Sequence, residues 1–258
     1  MFLVLIKLIL CLLIFCTLPI SAQTLIFSYE DRDSPPYYYY HKEDPSKHTG
    51  VTIDVLRLVA KRLDFDIEFV RLPWLRGLQK LKMNEIAGTF HSSFKRERLE
   101  YGVYPMKGDE ADRNYMLMVQ RYYLFTHKEA KLNWDGKQFK NVDGPIGALS
   151  GYAIISNLKA RGILTKESSN LLSLLNQVQN RRLLGLVNVE NMTDALIRDK
   201  NNNLDKISKV SPPIKEKPYY LMLAHSLQEH QPELVASIWR EIRHIKESGE
   251  YQTLLIKY

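Results

Sequence analysis

The sequence predicts an α/β protein made of two lobes joined by two chain crossings. Apolar residues repeat with period two in some stretches and with helical spacing in others, and the two patterns alternate along the chain. Two segments, 106–114 and 211–218, interrupt that alternation with polar residues, glycine or prolines. About 236 residues follow an apolar leader, enough to bury a good core as one large domain or two small ones.

The elements follow in order. Leu25 to Tyr29 reads as a first strand. Gly50 precedes Val51 to Leu63, where Val55, Leu58, Val59 and Leu63 mark one helical face. Phe65 to Val70 alternates as a strand, Trp74 to Lys82 returns to helix, and Ile86 to Phe90 is a short strand. This βαβαβ run implies a largely parallel sheet covered by helices. The polar segment 106–114, with Gly108, reads as a linker. Beyond it, Tyr122 to Phe125 and Pro145 to Leu149 read as strands, and Gly151 as the opening of a helix. Ser168 to Val178 reads as helix and Leu184 to Val189 as a buried strand. Ser211-Pro212-Pro213 and Pro218 break the chain, Tyr219 to Ala224 is a strand, and Pro232 starts a last amphipathic helix.

Residues 1–22 read as a signal peptide. Met1 to Ile20 is almost continuously apolar with one charge, Lys7, and Ser21-Ala22 offers small residues for cleavage. The thin charged region leaves an uncleaved membrane anchor as the competing reading. A lipid on Cys16 is disfavoured by Phe15 before it. Cys11 and Cys16 are the sole cysteines, so the mature chain has no disulfide, thiol nucleophile or thiolate zinc site. The formal charge of +7 raises the question of nucleic acid. The basic residues are scattered among acids, as in Lys95-Arg96-Glu97-Arg98, which fits a solvated basic surface with a modest bias toward anionic ligands.

Several motifs, taken in order, resemble a known family. They are Ser34-Pro-Pro-Tyr-Tyr38, Gly50-Val-Thr-Ile-Asp54, Leu72-Pro-Trp-Leu-Arg76, Ser92-Ser-Phe-Lys-Arg-Glu-Arg98, Gly147-Ala-Leu-Ser-Gly151 and the tail from Glu247 to Tyr258. Together they are similar to the family-3 extracellular solute-binding proteins, whose best-known members bind polar amino acids for ABC importers. The resemblance implies the two-lobed type II periplasmic-binding-protein fold, each lobe a mostly parallel sheet flanked by helices, and a periplasmic location. Lobe one would comprise 24–106 plus 217–258 and lobe two 116–212, with hinges near 107–115 and 213–216. A small solute would lie in the interlobe cleft, enclosed by hinge closure.

A guanidinium presents a planar fork suited to a carboxylate. In the family the arginine at the position of Arg98 holds the ligand's α-carboxylate, so the resemblance gives Arg98 that role. The bland reading is a surface arginine, since Lys95 and Arg96 stand beside it. Ser92, Ser93 and His91 precede it at the carboxyl end of a strand, where open α/β sheets bind ligands. By position Ser93 matches the family's hydroxyl better than Ser92. His91 stands where the family usually has a small residue, and reads equally as a packed neutral histidine. Tyr37 and Trp74 are candidate aromatic walls, with simple core as the equal reading for Trp74, and Arg76 is a candidate second cation. Gly151 and Tyr152 would open a helix aimed at the cleft. The amino-acid binders commonly have threonine at Tyr152 and an ammonium-holding aspartate at Val189. Glu190, shifted by one, and Asp31 are the candidate replacements, so a carboxylate or other small polar solute fits as well as an amino acid.

The expectation is a monomeric binding protein, not an enzyme, with a small-molecule ligand, an ABC permease or membrane receptor as partner, and no cofactor, metal or nucleic acid. A dehydratase on the same fold would need an acid or base, for which Glu190, His91 and Asp31 are the candidates. No nucleophile elbow or phosphate loop is present, and the histidines at 41, 48, 91, 127, 225, 230 and 244 do not pair at metal-ligand spacing. The same motifs are also compatible with a periplasmic ligand sensor or an orphan binding module.

Overall fold

A computed structural model describes residues 23–40, 44 and 47–258. The signal-peptide segment, with Lys7 and both cysteines, lies outside them, as does His41. The chain begins with β1 (Thr24–Glu30), a short ladder of β2 (Tyr39–Tyr40) with β3 (His48–Thr49), and α1 (Val51–Leu63). β4 (Asp66–Leu72), α2 (Trp74–Lys82) and β5 (Gly88–Ser93) complete a parallel trio with β1 in the middle. β6 (Met106–Lys107) and β7 (Glu110–Ala111) form a small hairpin that leads to the long β8 (Met118–His127).

The hairpin β9 (Asn133–Trp134) and β10 (Phe139–Lys140) follows, then β11 (Ile146–Leu149), α3 (Ile154–Lys159) and β12 (Thr165–Ser168). α4 (Leu171–Gln179), β13 (Gly185–Val189) and α5 (Glu190–Arg198) come next. β11, β12 and β13 form a second parallel trio, with β11 in the middle. β14 (Ile207–Leu223) returns to the first trio, and α6 (His225–His230), α7 (Pro232–Glu247) and α8 (Glu250–Leu255) close the chain. The whole sheet has the order β12-β11-β13-β8-β14-β5-β1-β4.

Local chemistry explains the boundaries. Gly50 begins α1 at φ +129°, and a Cβ there would lie 2.3 Å from the Tyr37 carbonyl oxygen, so no other residue fits. Asp64 ends α1 in the left-handed region. Pro232 occupies the first turn of α7, where its missing N–H costs no helical bond. Val55, Leu56 and Val59 of α1 are buried with Val235, Ile238 and Ile242 of α7, and Phe27 of β1 is fully buried in the same core. Leu174, Leu175 and Val178 of α4 cover the other half of the sheet beside Leu186 and Ile146.

The structure departs from the sequence expectations at several points. Residues 211–218 are not a break: β14 runs through them. Val210 pairs with Leu124 and Lys215 with Tyr122, so residues 211–214 bulge opposite Tyr123 alone. Pro212 and Pro213 sit in that bulge, where no ladder bond is lost. The crossing strands β8 and β14 also pair with each other, so one ladder runs through both halves. Gly151 opens a turn, and α3 starts three residues later at Ile154. Ser168 belongs to the polar edge strand β12, and α4 waits for the Asn170 side chain, which accepts a bond from the Ser173 amide at 2.9 Å. The segment 106–114 holds the hairpin β6–β7. Among the described residues, no helix is long and apolar enough to cross a membrane.

Candidate functional site

The carboxyl ends of four parallel strands converge on one cavity. Glu30 ends β1, His91 lies near the end of β5, Tyr152 follows β11, and Val189 ends β13; all four line it. Open α/β sheets bind ligands at such ends. Trp74, Arg98 and Gln120 complete the polar wall, and Tyr38, Tyr122, Tyr219 and Met192 the apolar one. The free space they enclose is about 20 Å³, room for about one water.

Arg98 follows β5 in a single 3-10 turn, Arg96–Glu100, which tucks its side chain inward until the residue is only 6% exposed. Its Nη1 donates to the Ser93 carbonyl at 2.7 Å and to Ser93 Oγ at 3.1 Å. Its Nη2 donates to the Gly151 carbonyl across the cleft at 3.0 Å. The guanidinium carbon stands 4.9 Å from the centre of the Trp74 ring. Every hydrogen-bond acceptor is neutral, so this buried cation has no counterion among the described residues. A buried charge without a partner is costly, and an anion in the cavity would relieve it.

His91 is aimed by a β-bulge. Ser92 pairs with Tyr220 and Thr89 with Met222, so Phe90 and His91 together oppose Leu221. The extra residue takes φ +60°, a conformation uncommon outside glycine. His91 Nε2 shares a 2.9 Å hydrogen bond with Thr52 Oγ1, while Nδ1 is buried without a partner. Rings of Tyr37 and Tyr38 surround it at 5.4 and 4.8 Å. Burial in this cage pushes the His91 pKa down to about 3, so the imidazole is neutral. Trp74 Nε1 is a buried donor without a partner.

Glu30 is the buried carboxylate of the site. Tyr152 donates its hydroxyl to Glu30 from the opposite half, and Arg32 pairs with the same carboxylate. Burial pushes the Glu30 carboxyl above its ordinary range, against the opposing pull of Arg32 and then of the Tyr152 bond. Burial, and next the Glu30 charge, push the Tyr152 hydroxyl well up. Further contacts draw the two sides together: Arg32 donates to the Ser169 carbonyl, and Asn191 Nδ2 donates to Ser34 Oγ at 2.7 Å and the Pro35 carbonyl at 2.9 Å. Gly151, at φ +76°, packs so closely on α2 that a Cβ would stand 2.4 Å from Leu75 Cδ2.

The structure brings Arg98, His91, Trp74 and Tyr152 to the cavity, with Ser93 and Gly151 behind the guanidinium. It places the other expected residues elsewhere. Ser92 turns to the far face of β5 and bonds Tyr104 at 2.5 Å, because successive strand residues alternate. Tyr37 is half-buried against His91 and does not line the cavity. Arg76 is exposed on α2. Asp31 lies past the end of β1 with its side chain 43% exposed, and Glu190 is held outside by Lys209 at 2.7 Å. The acid that reaches the cavity is Glu30, one residue before Asp31, which sequence reasoning missed. The strand-end rule that selects His91 to Ser93 also selects it. Gln120, Tyr122, Met192 and Tyr219 were likewise missed, since nothing in their local sequence separates them from ordinary core, whereas Tyr38, from the tyrosine run 37–40 that stood out in the sequence, does reach the cavity.

The bacterial extracellular solute-binding proteins of family 3 match residues 29–258. The chain belongs to this family. No curated protein matches it in sequence. Among solved structures, the substrate-binding protein of an amino acid ABC transporter is 16% identical, with 91% of this chain and 98% of that chain covered and a TM-score of 0.70. An ancestral arginine-binding protein bound to arginine is 17% identical, with 91% and 97% covered and a TM-score of 0.71. A histidine kinase sensor domain with similarity to periplasmic binding proteins is 14% identical, with 92% and 96% covered and a TM-score of 0.70. These likenesses show the fold, that of a type II periplasmic binding protein. Among the described residues, no group of His, Cys, Asp and Glu is placed to hold a metal ion.

Proposed function

We propose that this member of the family is a periplasmic binding protein that captures a small carboxylate-bearing solute between two lobes and presents it to a membrane partner, an ABC importer. The lobes would be 24–106 with 217–258, and 116–212, moving about hinges near 107–115 and 213–216. The buried, counterion-free guanidinium of Arg98 carries the reading. Its bond to the Gly151 carbonyl occupies the fork that a ligand carboxylate would take. Opening the lobes breaks that bond and those of Tyr152 to Glu30 and Asn191 to Ser34, and closure on a solute remakes the grip. The transporter component named among the similar structures supports an importer as partner. The one hydroxyl of the wall described on a carboxylate, that of Tyr152 on Glu30, serves as a bridge between the halves to an acid already held by Arg32, and binding accounts for these residues without a reaction.

The test is a thermal-shift screen of amino acids, small carboxylates and polyamines on the purified mature protein. A carboxylate at a hundred times its dissociation constant stabilises the fold by about 2.7 kcal/mol. Arg98→Ala removes that shift. A full shift retained by the variant rejects the assignment.

A further inference from the structure

We propose that Lys217 is a second anion anchor beside Arg98, and that the solute is a small dicarboxylate. This rests on the reading of the cavity as a carboxylate site and sharpens it. Lys217 lies on β14 opposite Gln120 of β8, and Gln120 lines the cavity. The lysine is half-buried, and its Nζ reaches the Ala153 carbonyl at 3.4 Å, the long limit of a hydrogen bond. Ala153 lines the same cavity. Arg98 and Lys217 thus hold carbonyls two residues apart, Gly151 and Ala153, on one turn of the opposite half.

Among the described residues, neither cation forms an ion pair: Glu30, which lines the cavity with Arg98, is held by Arg32, and Glu216, beside Lys217, is held by Arg121. The neighbouring charges felt by Lys217 are Arg98, Lys215 and Lys95, all of its own sign. Desolvation, and then these cations, push its pKa down to about 8. Glu30, the acid of the cavity, is paired with Arg32. With that pair neutral overall, Arg98 and Lys217 leave two positive charges at one end of the cleft. Like charges gathered in a partly buried place repel, and a ligand with two carboxylates would balance both. A zwitterionic amino acid with a neutral side chain balances only one. Lys217 also lines a neighbouring solvent-open hollow with Ser93, whose carbonyl and hydroxyl anchor the arginine, and with Lys215, Arg113, Glu110 and Glu216.

The experiment compares probes that differ in a single charge. Binding of L-glutamate and glutarate is measured by calorimetry against L-glutamine and butyrate, on the mature protein and on Lys217→Met, Lys217→Arg and Arg98→Ala. The proposal expects a dicarboxylate to bind at least about tenfold tighter than its singly charged counterpart. Lys217→Met brings that ratio to about one, and Lys217→Arg keeps most of it. Glutamate and glutarate together tell whether an amine is also required. Equal binding of glutamate and glutamine through Arg98, or a ratio that survives Lys217→Met, overturns the second anchor and leaves the carboxylate site standing. Absence of binding by every probe overturns both.

Discussion

Acid should weaken this fold through His91, with His48 and His127, also held down by burial, acting in the same direction. The His91 imidazole is caged by Tyr37, Tyr38, Phe90 and Tyr219, and burial holds its pKa at about 3. In the unfolded chain a histidine titrates near 6.5. The folded value is the lower one, so the stabilisation is present above the unfolded pKa and is lost as pH falls toward the folded pKa. Between about pH 7.5 and about pH 5.5, the unfolded chain takes up one proton that the folded chain refuses, a loss of about 1.4 kcal/mol. Glu30 acts with the opposite sign. Its raised carboxyl favours the folded state in acid, and that contribution fades as pH rises through its folded pKa. The comparison must therefore be between proteins. Urea unfolding of the wild type and of His91→Asn, a residue that tolerates the left-handed backbone, isolates the difference. The wild type should lose about 1.4 kcal/mol more than the variant over that interval. An equal loss in both would falsify the neutral, caged histidine.

Two further substitutions probe the frame around the cavity. Gly50→Ala forces a Cβ within 2.3 Å of the Tyr37 backbone at φ +129°, and thermal unfolding should register a loss of at least about 2 kcal/mol, with a wild-type melting curve as the contrary result. Tyr152→Phe removes the hydroxyl that bridges the halves to Glu30 but leaves the Arg32 pair. Chemical denaturation should show a loss of about 1 to 2 kcal/mol, since a hydrogen bond to a charged group is lost.

The helices of the first half were legible because their signals are local. Val51 to Leu63 and Trp74 to Lys82 begin and end where the apolar spacing and the flanking Gly50 and Pro73 place them. β1 and β13 were legible as short apolar runs, and β4 by its period-two alternation. β12 was not, because Thr165 to Ser168 is a polar edge strand with one neighbour, so burial imposes no pattern on it. α5 was not anticipated either: of its nine residues, only Met192 and Thr193 are buried. The prolines at 212 and 213 suggested a break, yet they occupy a bulge where a strand can accept them.

By itself the sequence determined the class of fold and the order of its main elements, and it singled out Arg98, which the structure buries in the cavity wall, because apolar periodicity and a family's ordered motifs are written along the chain. Only the tertiary structure decided which acid enters the cavity, that His91 turns inward on a bulge, and that Lys217 comes to rest beside Arg98. Those outcomes depend on strand register and on residues more than a hundred positions apart meeting across a cleft. A one-residue step along a strand moves a side chain to the opposite face, and local sequence does not encode that step.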